Sequence, residues 1–228
     1  MSDDATADTA PTTWRDLAVA RSLDPARVRA EKRVQRFLDA ALELMTSSSD
    51  KEFTVQEVVE RSGQSLRSFY QYFAGKYELL LALFEESVRS TAEHLAEVVQ
   101  EESDPLERLH RFVVEHYRVC QPAPKARSSK KSLAPAMAPF AQQLLTEHPK
   151  EASHAFVPMV ALLEQLLDDA AAAGSIRPGL DHHRMAGVVL QAVMFNAFAT
   201  TISGTPVRAD SGADEELWQL VFRGLRAD

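Results

Sequence analysis

The sequence predicts an all-α fold: an N-terminal three-helix helix-turn-helix unit, joined by a long helix to a larger helical domain. Three observations carry that expectation. Apolar residues recur at i, i+3 and i+4 along most of the chain, as in Val55, Val58 and Val59. Helix punctuation falls between those stripes, with Asp24-Pro25, Thr54-x-x-Glu57, Gly63 and an acidic run at 214–216. No stretch approaches the roughly 18 uninterrupted apolar residues of a membrane span.

Residues 1–24 read as an N-terminal extension. The first 13 are rich in Ala, Thr and Asp, have no period and are expected to be disordered. Asp24 reads as an N-cap with Pro25 in the first turn, which starts a helix running to Met45. Its stripe is Val34, Phe37, Leu38, Ala41, Leu42 and Met45. The segment from Trp14 onward is basic. A solvated charged face accounts for that as well as a phosphate or minor-groove contact does. TSSSDKE forms a loop, and a second short helix follows Thr54.

Gly63 ends that helix, because a left-handed position after a helix suits glycine. Ser65 can cap a third, whose residues Leu66, Phe69 and Phe73 are read as the inward face. At about 100° per residue, Arg67, Ser68, Gln71 and Tyr72 then point outward, with Tyr70 at the border. A helix-turn-helix showing such groups fits a duplex major groove. Arg67 is the candidate for a base edge, since its fork pairs with guanine O6 and N7. Lys76 and the hydroxyls of Thr54, Tyr70 and Tyr72 suit phosphates, and Ser65 and Leu66 complete the DNA-facing set. Two unrelated amphipathic helices joined at a glycine share this outline, so the pattern alone leaves the question open.

Residues 25–76 therefore form the helix-turn-helix domain, and 77–228 the larger one. A long helix from about Lys76 to Gln100 carries Leu79, Leu80, Leu83, Val88, Leu95 and Val99 on one side. Pro105 opens another, to about Cys120, with Leu109, Phe112, Val113 and Tyr117 inward. QPAPKARSSKKS is an exposed loop whose four basic residues suit a phosphate or a solvated linker. A helix from about Pro135 to Glu147 comes next, then one from about Lys150 to Ala173 that Pro158 should kink or restart. Such a kink opens a cavity beside Phe156 and Met159. The segment from about His182 to Ser203 is apolar nearly all round and is expected to be buried on more than one side. The acidic run at 214–216 starts the last helix, with Leu217, Leu220, Val221 and Leu225 on one stripe.

The string SFYQYFAGKYELLLALFEE resembles the signature of the TetR family of transcriptional regulators, and FTVQEVVERSGQS resembles that family's second helix and turn. The specific motif covers about fifty residues. The resemblance implies a cytoplasmic homodimer that binds a palindromic operator in double-stranded DNA. The last two helices would pack against their copies as a four-helix bundle. A small effector in the larger domain would release a repressor.

Candidate effector contacts are Phe112, Tyr117, Met137, Phe140, Phe156, Met159, Met194, Phe195 and Phe198. His116, Gln191 and Asn196 are the polar anchors. That lining suits an apolar or amphipathic molecule. Two alternatives stay open: a same-fold DNA-binding protein whose large domain recruits a protein and holds no ligand, and a helical enzyme with an incidental helix-turn-helix.

Net charge is −8, but the surplus is unevenly placed. Residues 11–76 carry 11 Lys and Arg against 9 Asp and Glu, and residues 77–228 carry 14 against 21. The acidic excess thus lies outside the unit expected to meet phosphate. One cysteine, Cys120, excludes an internal disulfide, and the acidic, polar N-terminus is unlike a secretory signal. His116 and Cys120, four apart on one helix, offer zinc two ligands but no third is near, so no metal or other cofactor is expected. No phosphate loop, nucleophile elbow or HExxH appears, so no enzymatic activity is expected.

Overall fold

The computed structural model describes residues 14–47, 53–121, 134–202 and 212–226. Within these, side chains are described except at 14–24, 47, 134–135 and 198–202. The expected disorder of residues 1–13 and nearly all of the basic loop lie outside the described residues. Among the described residues ten helices fold in sequence: α1 (Trp14–Ser47), α2 (Val55–Ser62), α3 (Leu66–Tyr72), α4 (Lys76–Val99), α5 (Pro105–Cys120), α6 (Ala134–Glu147), α7 (Pro149–Ala155), α8 (Val157–Ala172), α9 (His182–Ile202) and α10 (Ala213–Leu225). Among the described residues the only extended pairing is a bridge between Ile176 and Arg226, which ties the α8–α9 turn to the end of α10.

Local chemistry sets several of these boundaries. Thr54 Oγ1 accepts from the Glu57 amide at 3.2 Å, and Glu57 Oε2 accepts from the Thr54 amide at 2.7 Å. This is the reciprocal capping box read from the sequence, and it satisfies donors left free in the first turn of α2. Gly63 adopts φ 65°, and Gln64 N–H reaches back to Val59 O at 3.3 Å, closing the helix. Asp104 caps α5 by accepting from the amides of Leu106 and Glu107.

α1 and α9 depart from expectation, while the kink or restart expected at Pro158 is a restart. α1 does not start at Asp24; it runs back to Trp14, with Pro25 inside it. A proline there removes one amide donor and crowds the preceding turn, a local cost that the 34-residue helix absorbs. The helix expected from Lys150 restarts rather than bends, since α7 ends at Ala155 and α8 begins at Val157 with Pro158 in its first turn. α9 is buried on one side only. Ala186, Val189, Leu190, Val193, Met194 and Ala197 face the core, while Val188, Gln191, Ala192, Phe195 and Asn196 face out.

One core unites α1–α3 with the start of α4. Phe37 of α1 meets Phe69 of α3 edge to face at 5.4 Å and Phe73 at 6.2 Å. Val58, Val59 and Leu79 close around them. In the larger domain α5 is central, packing against α4, α8, α9 and α10. Leu109, Phe112, Leu163 and Leu167 are fully buried along it and its neighbour α8. Among the described residues no helix is long and apolar enough to cross a membrane.

Candidate nucleic-acid interface and effector cavity

The turn between α2 and α3 fixes which side chains α3 can offer. Ser65 caps α3 by accepting from the Ser68 amide at 3.1 Å, and Thr54 Oγ1 is held by Glu57. Phe69 and Phe73 are buried against Phe37, so the opposite face is exposed. That face is Leu66, Arg67, Tyr70 and Gln71; Leu66 is 44 % exposed and Tyr70 57 %.

The strip therefore differs from the one read in the sequence. Ser68 Oγ is buried with no hydrogen-bond partner among the described residues, and Tyr72 is half-buried against the core. Leu66, read as inward, faces out. The true inward face is centred on Phe69 and Phe73 with Tyr72 beside them, which rotates the outward strip by roughly 100°, about one residue. Arg67 and Gln71 are common to both strips. Lys76 Nζ sits 4.7 Å over the Phe53 ring, so its charge is placed beside the start of α2. Arg61 bridges to Glu43 at 3.1 Å and braces α2 against α1.

In the larger domain, five expected effector contacts converge. His116, Met137, Phe156, Met159 and Met194 line an inner cavity of about 30 Å³, together with Phe84, Ser87, Val88, Thr91 and Cys120. Phe112 packs on His116 with ring centroids 5.8 Å apart, and Phe140 packs on Phe84 at 6.1 Å. Tyr117 is buried, and burial, with Asp214 adding to it, raises its phenol pKa. A second cleft, of about 350 Å³, adjoins the first and is lined by Leu145, Pro149, Ala152, Ser153, Val160, His183, Gly187, Leu190 and Gln191. Phe156 and Met194 line both.

Phe195 and Asn196 line neither cavity. They lie on the exposed side of α9, where their register follows Val188 and Ala192 rather than Met194. The Phe198 side chain is outside the described residues. The sequence reading missed Phe84, Ser87, Val88 and Thr91 of α4, although their i, i+3, i+4, i+7 spacing marks one stripe, with two hydroxyls in otherwise apolar company.

His116 is 5 % exposed, and its Nδ1 has no hydrogen-bond partner among the described residues. Burial pulls its pKa down to about 4, so the ring is neutral near pH 7. Burial likewise pushes the Cys120 thiol up to about 12, which leaves it a weak nucleophile and a poor metal ligand. Among the described residues no three His, Cys, Asp or Glu side chains are grouped to hold a metal ion.

Known proteins resemble this arrangement. Residues 37–83, from the middle of α1 to the first turns of α4, match the family model for bacterial regulatory proteins, tetR family. The fatty acid metabolism regulator protein of Bacillus subtilis (strain 168) is 24 % identical over 82 residues, which is 36 % of this chain and 42 % of that protein. The match thus spans less than half of that relative. The structure of the regulator FadR from Bacillus subtilis with stearoyl-CoA superposes with TM-score 0.65 at 17 % identity, covering 83 % of this chain and 98 % of that one. That of RolR with resorcinol superposes with TM-score 0.62 at 15 % identity, covering 87 % and 90 %. These two likenesses concern the fold. The family match falls on the helices that build the Phe37–Phe69–Phe73 core and its exposed strip, so over residues 37–83 the chain resembles bacterial regulatory proteins of the tetR family.

Proposed function

We propose that the chain is a dimeric transcriptional repressor that binds a palindromic operator and is released by an apolar or amphipathic small molecule. The observation that carries the reading is the α3 strip of Leu66, Arg67, Tyr70 and Gln71, held rigid by Phe69 and Phe73. A helix so placed lies in a major groove with its first residues on base edges. Two such helices in a dimer read two half-sites about one DNA turn apart.

The apolar side of the proposal rests on the two cavities. Their lining is mainly apolar, and a charged ligand would meet few partners there. Neighbours of the same fold take stearoyl-CoA and resorcinol, one a long acyl thioester and one a small phenol. Release is a population shift: the effector favours a subunit arrangement whose reading helices no longer match successive grooves. It can shift that equilibrium only by its difference in affinity for the two arrangements.

The small inner cavity favours a second reading, in which the larger domain recruits a protein and takes no small ligand. One experiment separates them. The full chain is selected against a random duplex pool, and the recovered operator is titrated in a gel shift with and without a panel of apolar and hydrophilic compounds. Recovery of a palindrome whose binding is weakened by apolar compounds supports the first reading. A palindrome indifferent to every compound supports the second. Binding without sequence preference overturns both.

A further inference from the structure

We propose that His116 Nδ1 is the interior anchor of the effector site, and that it selects a neutral molecule carrying a hydroxyl at its buried end over one ending in plain alkyl. The inference rests on the ligand-responsive reading above and deepens it.

Two observations meet at this residue. Its Nδ1 is buried without a partner, and a buried polar atom left unpaired costs free energy that a bound group can recover. His116 also lines a cavity, so a partner for its ring has space close by. That chamber, at about 30 Å³, is far smaller than the roughly 300–1,000 Å³ of a pocket that takes a whole ligand. It suits a small terminal group rather than the body of a ligand. The body has room next door, in the outer cleft of about 350 Å³.

Phe156 and Met194 form the partition, because both line both spaces. Phe156 stands at the break between α7 and α8, where no side chain caps α8. Its ring rests edge-on against Phe84 at 5.4 Å. A ligand in the outer cleft therefore reaches His116 by passing its terminal group between Phe156 and Met194. Methionine is unbranched and adapts its rotamers to such an insertion.

The chemistry of the anchor decides the terminal group. A neutral imidazole donates from one nitrogen and accepts at the other, and a hydroxyl both donates and accepts, so it satisfies Nδ1 in either tautomer. Ser87 and Thr91 on the same wall offer further hydroxyl partners. An alkyl end leaves Nδ1 unpaired, and a carboxylate or ammonium brings a charge against a lining without a charged partner.

The test uses the full chain with 4-butylphenol and butylbenzene, a pair differing in one hydroxyl. Binding is titrated by thermal denaturation for the wild type and for His116→Leu. The preference for 4-butylphenol over butylbenzene should fall about tenfold in the variant, the loss of one hydrogen bond to a buried partner. In wild type, the His116 ring-nitrogen resonance should move with 4-butylphenol and stay fixed with butylbenzene, a readout that stands even if the variant does not fold. An unchanged preference, or a resonance indifferent to both compounds while both bind, overturns the anchor and leaves the apolar-effector reading in place. Binding of neither compound overturns the apolar-effector reading together with it.

Discussion

Tyr77 and His148 pack with their rings tilted by 45° and centroids 4.9 Å apart, and Phe140 approaches the same phenol ring at 5.8 Å. Tyr77 follows Lys76 directly at the start of α4, so this contact joins the helix-turn-helix unit to the end of α6 and the start of α7. The Tyr77 hydroxyl is buried with no hydrogen-bond partner among the described residues. Its pKa is raised, chiefly by burial and then by Glu151 and Glu147. Removing an unpaired buried hydroxyl relieves its desolvation cost. Tyr77→Phe should therefore leave stability unchanged or raise it by up to about 1 kcal/mol in thermal denaturation.

Arg67 lies fully on the exposed strip of α3, with nothing of its own helix in front of it. Arg67→Ala should weaken operator binding by about 1–3 kcal/mol and relax preference at one position per half-site. Lys76→Ala should weaken all sequences alike and flatten the salt dependence by about one unit. Gel-shift titrations at several salt concentrations distinguish the two, and an unchanged affinity for both variants would refute the reading face.

Leu220 is 72 % exposed on α10, and Val188 and Phe195 are 51 % and 46 % exposed on α9. Apolar side chains so exposed fit a subunit interface made by these two helices, of the obligate kind above roughly 2,000 Å². Leu220→Asp should give folded monomers that lose operator binding. Val193 sits on the other side of α9 and is fully buried within the subunit, so Val193→Asp should unfold the chain instead. Light scattering and circular dichroism on the two variants check this, and a monomeric wild type at micromolar concentration would contradict it.

His116 makes stability depend on pH in a definite direction. Its pKa is 6.5 in the unfolded chain and about 4 in the fold. Between those values the unfolded state takes up a proton that the folded state refuses. Stability is therefore complete above about pH 6.5, falls as pH drops toward 4, and loses roughly 3 kcal/mol from this residue in all. Denaturant unfolding of wild type and His116→Leu from pH 7 to pH 4 should show a shallower decline in the variant. Parallel declines would mean that His116 is not buried as described.

The sequence by itself determined the features that depend on near neighbours. The capping box at Thr54 and Glu57, the left-handed Gly63 and the opening of α5 at Pro105 involve residues within a few positions of one another, so their chemistry is complete in the string. Helical periodicity likewise announced an all-α chain, since 3.6-residue spacing is a property of the backbone. The tertiary structure decided how each helix is turned. Phe37 of α1 meets Phe69 and Phe73, which rolls α3 so that Leu66 and Tyr70 face out and the Ser68 hydroxyl is buried. Packing on α8 and α5 turns Met194 inward and Phe195 outward, though the two are adjacent and similar in character. It also brings Ser87 and Thr91 of α4 beside His116 of α5. An apolar stripe says that a face is covered; which residues cover it is settled by partners far along the chain.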